Sequence, residues 1–310
     1  MLTFLTFSLL WAGVNAACSR DTTALTSDCS SQCYEGRPCI AFASDASCNA
    51  TTFGTCVSDD SSSSSSSSSS GDSCAFECFT NGPNDFAENG AVEFTEYLFF
   101  IPYGDSESKW EANWTSSQAS TVDAQLQSKE DETQNYPSES NLVFQDIEPL
   151  KFQSSTTSVS MVNLGFDTDP PQSTFPTTNI ESFRMSNCLL STYPADLEFM
   201  TSVVHIDFSL NYFKDYPVKF SHATMQTLNL STNALEACSG DFPNMTNLDL
   251  SDNTLKDVPS NIFDMTNLKT LNLSRNSFSG VSLTSSQVKF LQNLLGIGYG
   301  WWSICLHYHD

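Results

Sequence analysis

The sequence has 310 residues, enough for one large domain or two modest ones. Its 36 acidic against 12 basic residues leave a formal charge of −24, which repels a phosphate backbone and makes nucleic acid a poor partner. Only 15% of residues are charged while Ser, Thr and Asn abound, a composition that suits a secreted surface better than a cytosolic enzyme.

Residues 1–16, "MLTFLTFSLLWAGVNA", are an apolar run closing on the small-residue site Val14-Asn15-Ala16, and read as a signal peptide too short to span a bilayer. Residues 17–56 hold six of the 11 cysteines, and Cys74 and Cys78 follow. Dense, even-numbered cysteines in an exported chain imply disulfides; six allow fifteen pairings, among which sequence cannot choose. Cys29/Cys33 and Cys74/Cys78 are C-x3-C pairs that a metal would tolerate, but no histidine lies nearby and the other spacings are irregular. No metal or cofactor is expected. Residues 57–73, "VSDDSSSSSSSSSSGDS", are a linker: ten consecutive serines bury nothing that could offset the entropy of ordering them. The six-cysteine module is therefore expected to be an independent bead.

Residues 74–158 form an acidic flank or cap, least legible over 79–145. Within it "AVEFTEYLFFIPY" reads as a strand. "SSQASTVDAQLQSKEDETQNYPSES" reads as a polar loop or short exposed helix.

From residue 159 to 295 the chain repeats itself. With Leu-x-x-Leu-x-Leu-x-x-Asn-x-Leu numbered 1 to 11, units start at Val159, Ile180, Val203, Met225, Met245 and Leu268, with spacings of 21, 23, 22, 20 and 23. Such a period marks a solenoid, in which no unit buries its apolar edge alone. Positions 4 and 6 alternate as a strand with one buried face requires. They are Val162 and Leu164, Phe183 and Met185, Ile206 and Phe208, Leu228 and Leu230, Leu248 and Leu250, and Leu271 and Leu273. Position 9 holds Asp167, Cys188, Asn211, Asn233, Asn253 and Asn276; the last four form a structural ladder, because an inward amide both donates to and accepts from backbone groups left without partners. Position 11 returns Leu190, Phe213, Leu235, Leu255 and Phe278 to the core. Pro194, Pro217 and Pro259 turn the chain onto the back, filled by Ile262, Phe263 and Met265.

"MTNLDLSDNTLKDVPSNIFDMTNLKTLNLSRNSFSG" and the following "VSLTSSQVKFLQNL" resemble the leucine-rich-repeat family. With the apolar leader and the cysteine-rich, serine-linked front, they look most like ectodomains of oomycete leucine-rich-repeat receptor-like kinases of the tyrosine-kinase-like class. The resemblance implies an α/β fold: a right-handed solenoid of about six repeats with parallel strands, preceded by the disulfide-rich module and serine linker. It also implies an extracellular, non-enzymatic module that binds a protein or peptide. Those relatives continue into a membrane span and a kinase. Here residues 296–310, "GIGYGWWSICLHYHD" with the preceding Leu295, end the repeat in an irregular apolar tail, short for a span, and no kinase motif occurs. The alternatives are a truncated product of a transmembrane kinase gene, membrane-anchored if the gene continues past residue 310, and a cell-wall structural glycoprotein.

The outward strand face is the expected binding surface. Position 5 gives Asn163, Arg184, Asp207, Asn229, Asp249 and Asn272; position 3 gives Met161, Ser182, His205, Thr227, Asn247 and Thr270; position 8 adds Phe166, Leu210, Asp252 and Arg275. Candidate ligand contacts are Arg184, His205, Asp207, Leu210, Asp249, Asp252 and Arg275, and the patch of Asp207, Asp249 and Asp252 favours a basic peptide. No nucleophile can be assigned to His205 and Asp207, so no catalytic residue is named. Sequons at Asn49, Asn113, Asn229, Asn244 and Asn272 are candidate glycan acceptors. Asn229 and Asn272, if glycosylated, would crowd the strand face and move binding to an edge or the convex side. Cys188 reads as a buried thiol in place of a ladder asparagine.

Overall fold

The structure, a computed structural model, describes residues 20–33, 38–43, 48, 54–58, 75–79, 96–100, 111–115, 146–152, 155–162, 175, 179–220, 222–294, 296–297 and 307–308. The leader at 1–16, the serine run itself, Asn49, Asn163, Leu164, Phe166 and Asp167 lie outside the described residues.

The front of the chain folds as β1 (Ala24–Thr26), β2 (Cys39–Ala41), β3 (Gly54–Ser58) and β4 (Ala75–Phe79). Two further strands, β5 (Glu96–Phe100) and β6 (Glu111–Thr115), precede β7 (Asp146–Ile147). One five-stranded sheet has the order β3-β4-β2-β1-β7. Its buried residues include Leu25, Cys39, Ile40 and Ala41, none more than 1% exposed. Disulfides join Cys29 to Cys39, Cys33 to Cys78 and Cys48 to Cys56.

This arrangement corrects the expectation of an independent bead. β4 and β7 come from beyond the serine run, and the Cys33–Cys78 bridge crosses it. β3 and β4 are antiparallel with Ser58 opposite Ala75, so the ends of the serine segment are held side by side. A polar run says nothing about where the flanking strands pair, because pairing is a backbone property.

The rest of the chain builds a nine-stranded sheet ordered β17-β15-β14-β12-β10-β9-β8-β5-β6. It comprises β8 (Ser158–Val162), β9 (Ser182–Ser186), β10 (His205–Asp207), then β12 (Thr227–Asn229), β14 (Asn247–Asp249), β15 (Thr270–Asn272) and β17 (Gly296–Ile297), with β5 and β6 beyond β8. All neighbours are parallel except β5 and β6. Phe183, Ile206, Leu228, Leu248 and Leu271 stand in register across it, each 2% exposed or less. Phe208, Leu230, Leu250 and Leu273 follow two residues on, equally buried. Burial of each such side chain contributes roughly 1.5–3 kcal/mol, which offsets the ordering of very short strands.

Behind three of the strands the chain returns through 3-10 turns rather than α-helix. Pro194, Pro217 and Pro259 immediately precede 3-10 turns at Ala195–Phe199, Val218–Phe220 and Ser260–Asp264. A short parallel ladder pairs β11 (Asp215–Tyr216) with β13 (Ala237–Cys238). Proline fixes φ near −55° (−52° at Pro194, −55° at Pro259), and the few residues before the next strand leave room for a 3-10 turn only. The one α-helix among the described residues, α1 (Ser285–Gln292), starts on a capping box of Thr284 and Gln287. The α/β assignment is thus corrected toward strands with few helices.

Two further expectations change. Val159 pairs with Phe183 and Met161 with Met185, so the first unit is displaced by three residues: Val159 and Met161 are its inward pair, and Val162, also buried, pairs with Ser186. Met161 is buried, not on the outward face. The sheet also continues past Leu295, where Gly296–Ile297 pair with Thr270–Leu271, and β18 (His307–Tyr308) pairs with β16 (Ser282–Leu283). Strand pairing needs backbone rather than leucines, so a lapse in the leucine pattern did not end it.

Behind the sheet the core is aromatic in its first half. Phe175, Phe183 and Phe208 form edge-on pairs at 5.0 and 5.8 Å, and Tyr193 stacks on Phe213 at 3.9 Å. Burial pushes the hydroxyl pKa of Tyr193 upward, and that of Tyr216 with it. Tyr216 donates to Phe220 O at 2.8 Å.

Candidate functional site

The strand face is shaped by two side-chain systems, one inside and one outside. Inside, the carboxamide of Asn211 accepts from the N–H groups of Cys188 and Leu190 at 3.1 and 3.0 Å and donates to Met185 O at 2.7 Å. Asn233 accepts from Phe213 N at 3.1 Å and donates to Phe208 O at 3.0 Å. Asn253 accepts from Leu235 N at 2.9 Å and donates to Leu230 O at 2.9 Å. Asn276 accepts from Leu255 N at 3.1 Å and donates to Leu250 O at 2.8 Å. Each amide therefore closes its own turn and grips the preceding one. Cys188 supplies part of the same service, its Sγ donating to Met161 O at 3.5 Å and Ser186 O at 3.4 Å. Cys238 is also a buried thiol, with its pKa pushed up to about 12 by burial.

Outside, position 5 is occupied structurally. The side-chain oxygens of Asp207, Asn229, Asp249 and Asn272 accept from the N–H two residues on, of Ser209, Ser231, Ser251 and Ser274, at 2.9 to 3.2 Å. These short loops hold the turn at the strand's end. The pairing of Asx at position 5 with Ser at position 7 is visible in the sequence, but only the turn geometry gives it a role.

The expected acidic patch is not left bare. Asp207 is bridged by Arg184 at 3.2 Å, Asp252 by Arg275, and Asp249 accepts from Asn272 Nδ2 at 3.1 Å. Five candidate contacts are thereby engaged across neighbouring units, and the local pull on a basic peptide is largely cancelled. His205 is exposed on β10, opposite Thr227. Between the pairs lies an open depression of about 310 Å³ lined by Thr227, Asn229, Asn247, Asp249, Thr270 and Asn272 among others. A second groove of about 630 Å³ runs along the entry edge of the strands, past Thr224, Gln226, Asn244, Thr246, Asn267 and Lys269. There Asn244 and Asn267 donate to Ala223 O and Pro243 O at 2.7 and 2.9 Å, an exposed second ladder that the repeat pattern did not announce.

Position 8 has a conformational role. Asn187, Leu210, Thr232, Asp252 and Arg275 all have φ between 53° and 59°, the left-handed turn that brings the following ladder residue inward. Leu210, a candidate contact, belongs to this column.

The sequons separate by place. Asn229 and Asn272 lie on the strand face, Asn244 on the entry edge, and Asn113 on β6 opposite Leu98. Among the described residues no group of three or more His, Cys, Asp or Glu could hold a metal ion, and no helix is long and apolar enough to cross a membrane.

Residues 243–285 match the family model for leucine-rich repeats in two copies. No curated protein was found to match the chain. Among solved structures the chain is similar to a leucine-rich-repeat protein of Leptospira interrogans, at 21% identity and TM-score 0.39 over 49% of this chain and 38% of that one. It is also similar to an internalin from Listeria monocytogenes, at 16% identity and TM-score 0.40 over 55% and 54% of the two chains. A third is the leucine-rich-repeat ectodomain of the plant membrane receptor kinase GASSHO1/SCHENGEN3 from Arabidopsis thaliana, solved in complex with CASPARIAN STRIP INTEGRITY FACTOR 2. The match there has 23% identity and TM-score 0.37 over 50% of this chain and 22% of that one. The present chain spans less than two thirds of the length of each.

Proposed function

We propose that the repeats wind as a right-handed solenoid of about six units and that the chain is an extracellular recognition module for a protein or peptide, similar to a receptor-like kinase ectodomain. One observation carries this reading. Parallel strands stand in register from Ser182 to Asn272, each held from inside by its own asparagine or thiol, so the outward row is a fixed surface with no catalytic constellation on it. Leucine-rich-repeat proteins typically bind proteins, and residues 243–285 carry that repeat. The disulfides at Cys29–Cys39, Cys33–Cys78 and Cys48–Cys56 favour an oxidising compartment. The apolar leader at 1–16 and the sequons favour export with glycans attached.

Because the face carboxylates are paired, recognition there rests on the hydroxyls and amides of Thr227, Asn247 and Thr270 more than on charge. The test is expression of the full chain in a eukaryotic secretory host. The reading expects protein in the medium beginning after Ala16, and protein partners recovered from an array of extracellular proteins. Retention of the chain inside the cell, or folded secreted protein that binds none of the array, would count against it.

A further inference from the structure

Three sequons fall on the repeats, and their asparagines stand in different surroundings. Asn229 and Asn272 are half-buried on the strand face, each engaged through its side-chain oxygen. That oxygen accepts from the backbone N–H of the sequon's own serine, Ser231 at 3.0 Å and Ser274 at 3.2 Å. Ser274 Oγ donates to Asn272 as well, at 2.8 Å, and Asn272 Nδ2 donates to Asp249 at 3.1 Å. Asn244, by contrast, is exposed on the entry edge. Its one side-chain hydrogen bond among the described residues runs from Nδ2 to Ala223 O at 2.7 Å, so its oxygen is open. The fold asks only for a donor at this place: Thr224 one unit earlier donates to Val203 O at 2.7 Å, and Asn267 one unit later donates to Pro243 O at 2.9 Å. Neither begins a sequon, whereas Thr246 makes one of Asn244-Met245-Thr246.

We propose that Asn244 is the glycan-bearing asparagine of the repeats, and that the first N-acetylglucosamine of its glycan lies in the groove along the entry edge. This rests on the reading that the chain is exported, and it names which sequon is used and which surface is thereby closed. In the modification Nδ2 loses one proton and bonds to the sugar's C1, as the bond from C1 to the diphosphate of a lipid-linked oligosaccharide breaks and the diphosphate leaves with the electron pair. The product is a secondary amide, planar and trans, so the sugar lies beside Oδ1. At Asn229 and Asn272 that is the side from which the serine N–H approaches, and a sugar there forces the turn open. At Asn244 that side is open, and the hydrogen left on Nδ2 still serves Ala223 O. The adjoining groove of about 630 Å³ falls within the roughly 300–1,000 Å³ of ligand-sized sites, and Thr224, Gln226, Asn267 and Lys269 line it with polar groups for sugar hydroxyls. Transfer to the unfolded nascent chain does not discriminate among the three, but folding does: a sugar wedged into a strand-face turn disfavours the folded state. The strand face thus stays bare for a protein partner, and the entry edge does not.

The test uses the full chain expressed in a eukaryotic secretory host. Deglycosylation by a peptide amidase in heavy-oxygen water turns each glycan-bearing asparagine into labelled aspartate, which peptide mass spectrometry counts site by site. Occupancy at Asn244 should exceed that at Asn229 or Asn272 at least about five-fold, because a strand-face sugar sacrifices a turn hydrogen bond. Asn244→Gln should remove the glycan mass without moving it to another sequon of the repeats. In the folded glycoprotein, the N-acetyl methyl of the first sugar should show nuclear Overhauser contacts to the methyl groups of Thr224 and Thr246. Secreted protein that is bare at Asn244, or that carries sugar equally at Asn229 and Asn272, overturns the proposal and leaves the export reading intact. A sugar at Asn244 without those contacts overturns its seat in the groove. A chain retained in the cell with every sequon unmodified sinks the export reading and the proposal together.

Discussion

Asn253 shows how one side chain sets the spacing of a repeat. Its amide donates to Leu230, Leu250 and Ser251 carbonyls at 2.9 to 3.1 Å while its oxygen accepts from Leu235 N at 2.9 Å, so it bonds to both its own unit and the one before. It is 6% exposed, and water cannot take over these bonds. Asn253→Ala strands one N–H and one carbonyl, each costing about 1–3 kcal/mol. A loss of about 3 kcal/mol is expected in chemical denaturation, and a loss below 1 would show that the ladder is not a stabilising device. The left-handed column makes the opposite prediction. Thr232 is β-branched at φ 54°, and Thr232→Asn should stabilise the protein by about 1 kcal/mol, read as an upward shift in the denaturation midpoint at unchanged slope.

At the scale of elements, the strands were legible and the return segments were not. Alternation such as Leu228/Leu230 and Leu248/Leu250 survives in the sequence because one face of each strand is buried. The asparagine period survives because a turn leaves the same backbone groups exposed every time. What was lost follows from the same physics. In β8 the inward residues Val159 and Met161 lack leucine's signature, so the sequence pattern points three residues too late. In the front sheet, pairing joins β1 to β7 across the whole flank, and no local periodicity records it. Arg20 and Glu148, 2.5 Å apart, help lock that junction, and Glu148 N donates to Leu25 O at 2.9 Å. Burial alone would raise the Glu148 pKa, but hydrogen bonds from Arg20 and Thr26 and the Arg20 charge outweigh it and hold it below the ordinary 4.5. A carboxyl lowered in the folded state stabilises above its unfolded pKa, and that contribution is lost as pH falls through the folded value. Amide exchange at Glu148 should therefore accelerate on acidification below about pH 4.5 beyond the intrinsic rate, and Glu148→Gln should abolish the acceleration. An identical pH profile in the variant would remove the ion pair from the account.

For the whole molecule, neighbouring units touch through the ladder and the shared sheet, so local damage is expected to spread to neighbours and fade with distance. The Cys33–Cys78 bridge limits this at the front, because its 45-residue separation corresponds to about 4 kcal/mol of loop-closure entropy. The outward face keeps its shape only while the stack holds, which ties any binding role to the inner amides rather than to a ligand-induced fit. The most direct test is residue-resolved hydrogen exchange at four of the amides that donate to ladder oxygens, one per asparagine: Leu190, Phe213, Leu235 and Leu255. All four should be strongly protected, and in Asn253→Ala the Leu235 amide should lose protection most, with Phe213 and Leu255 next and Leu190 least. Exchange of these amides at the rates of unstructured peptide would contradict the account at its base.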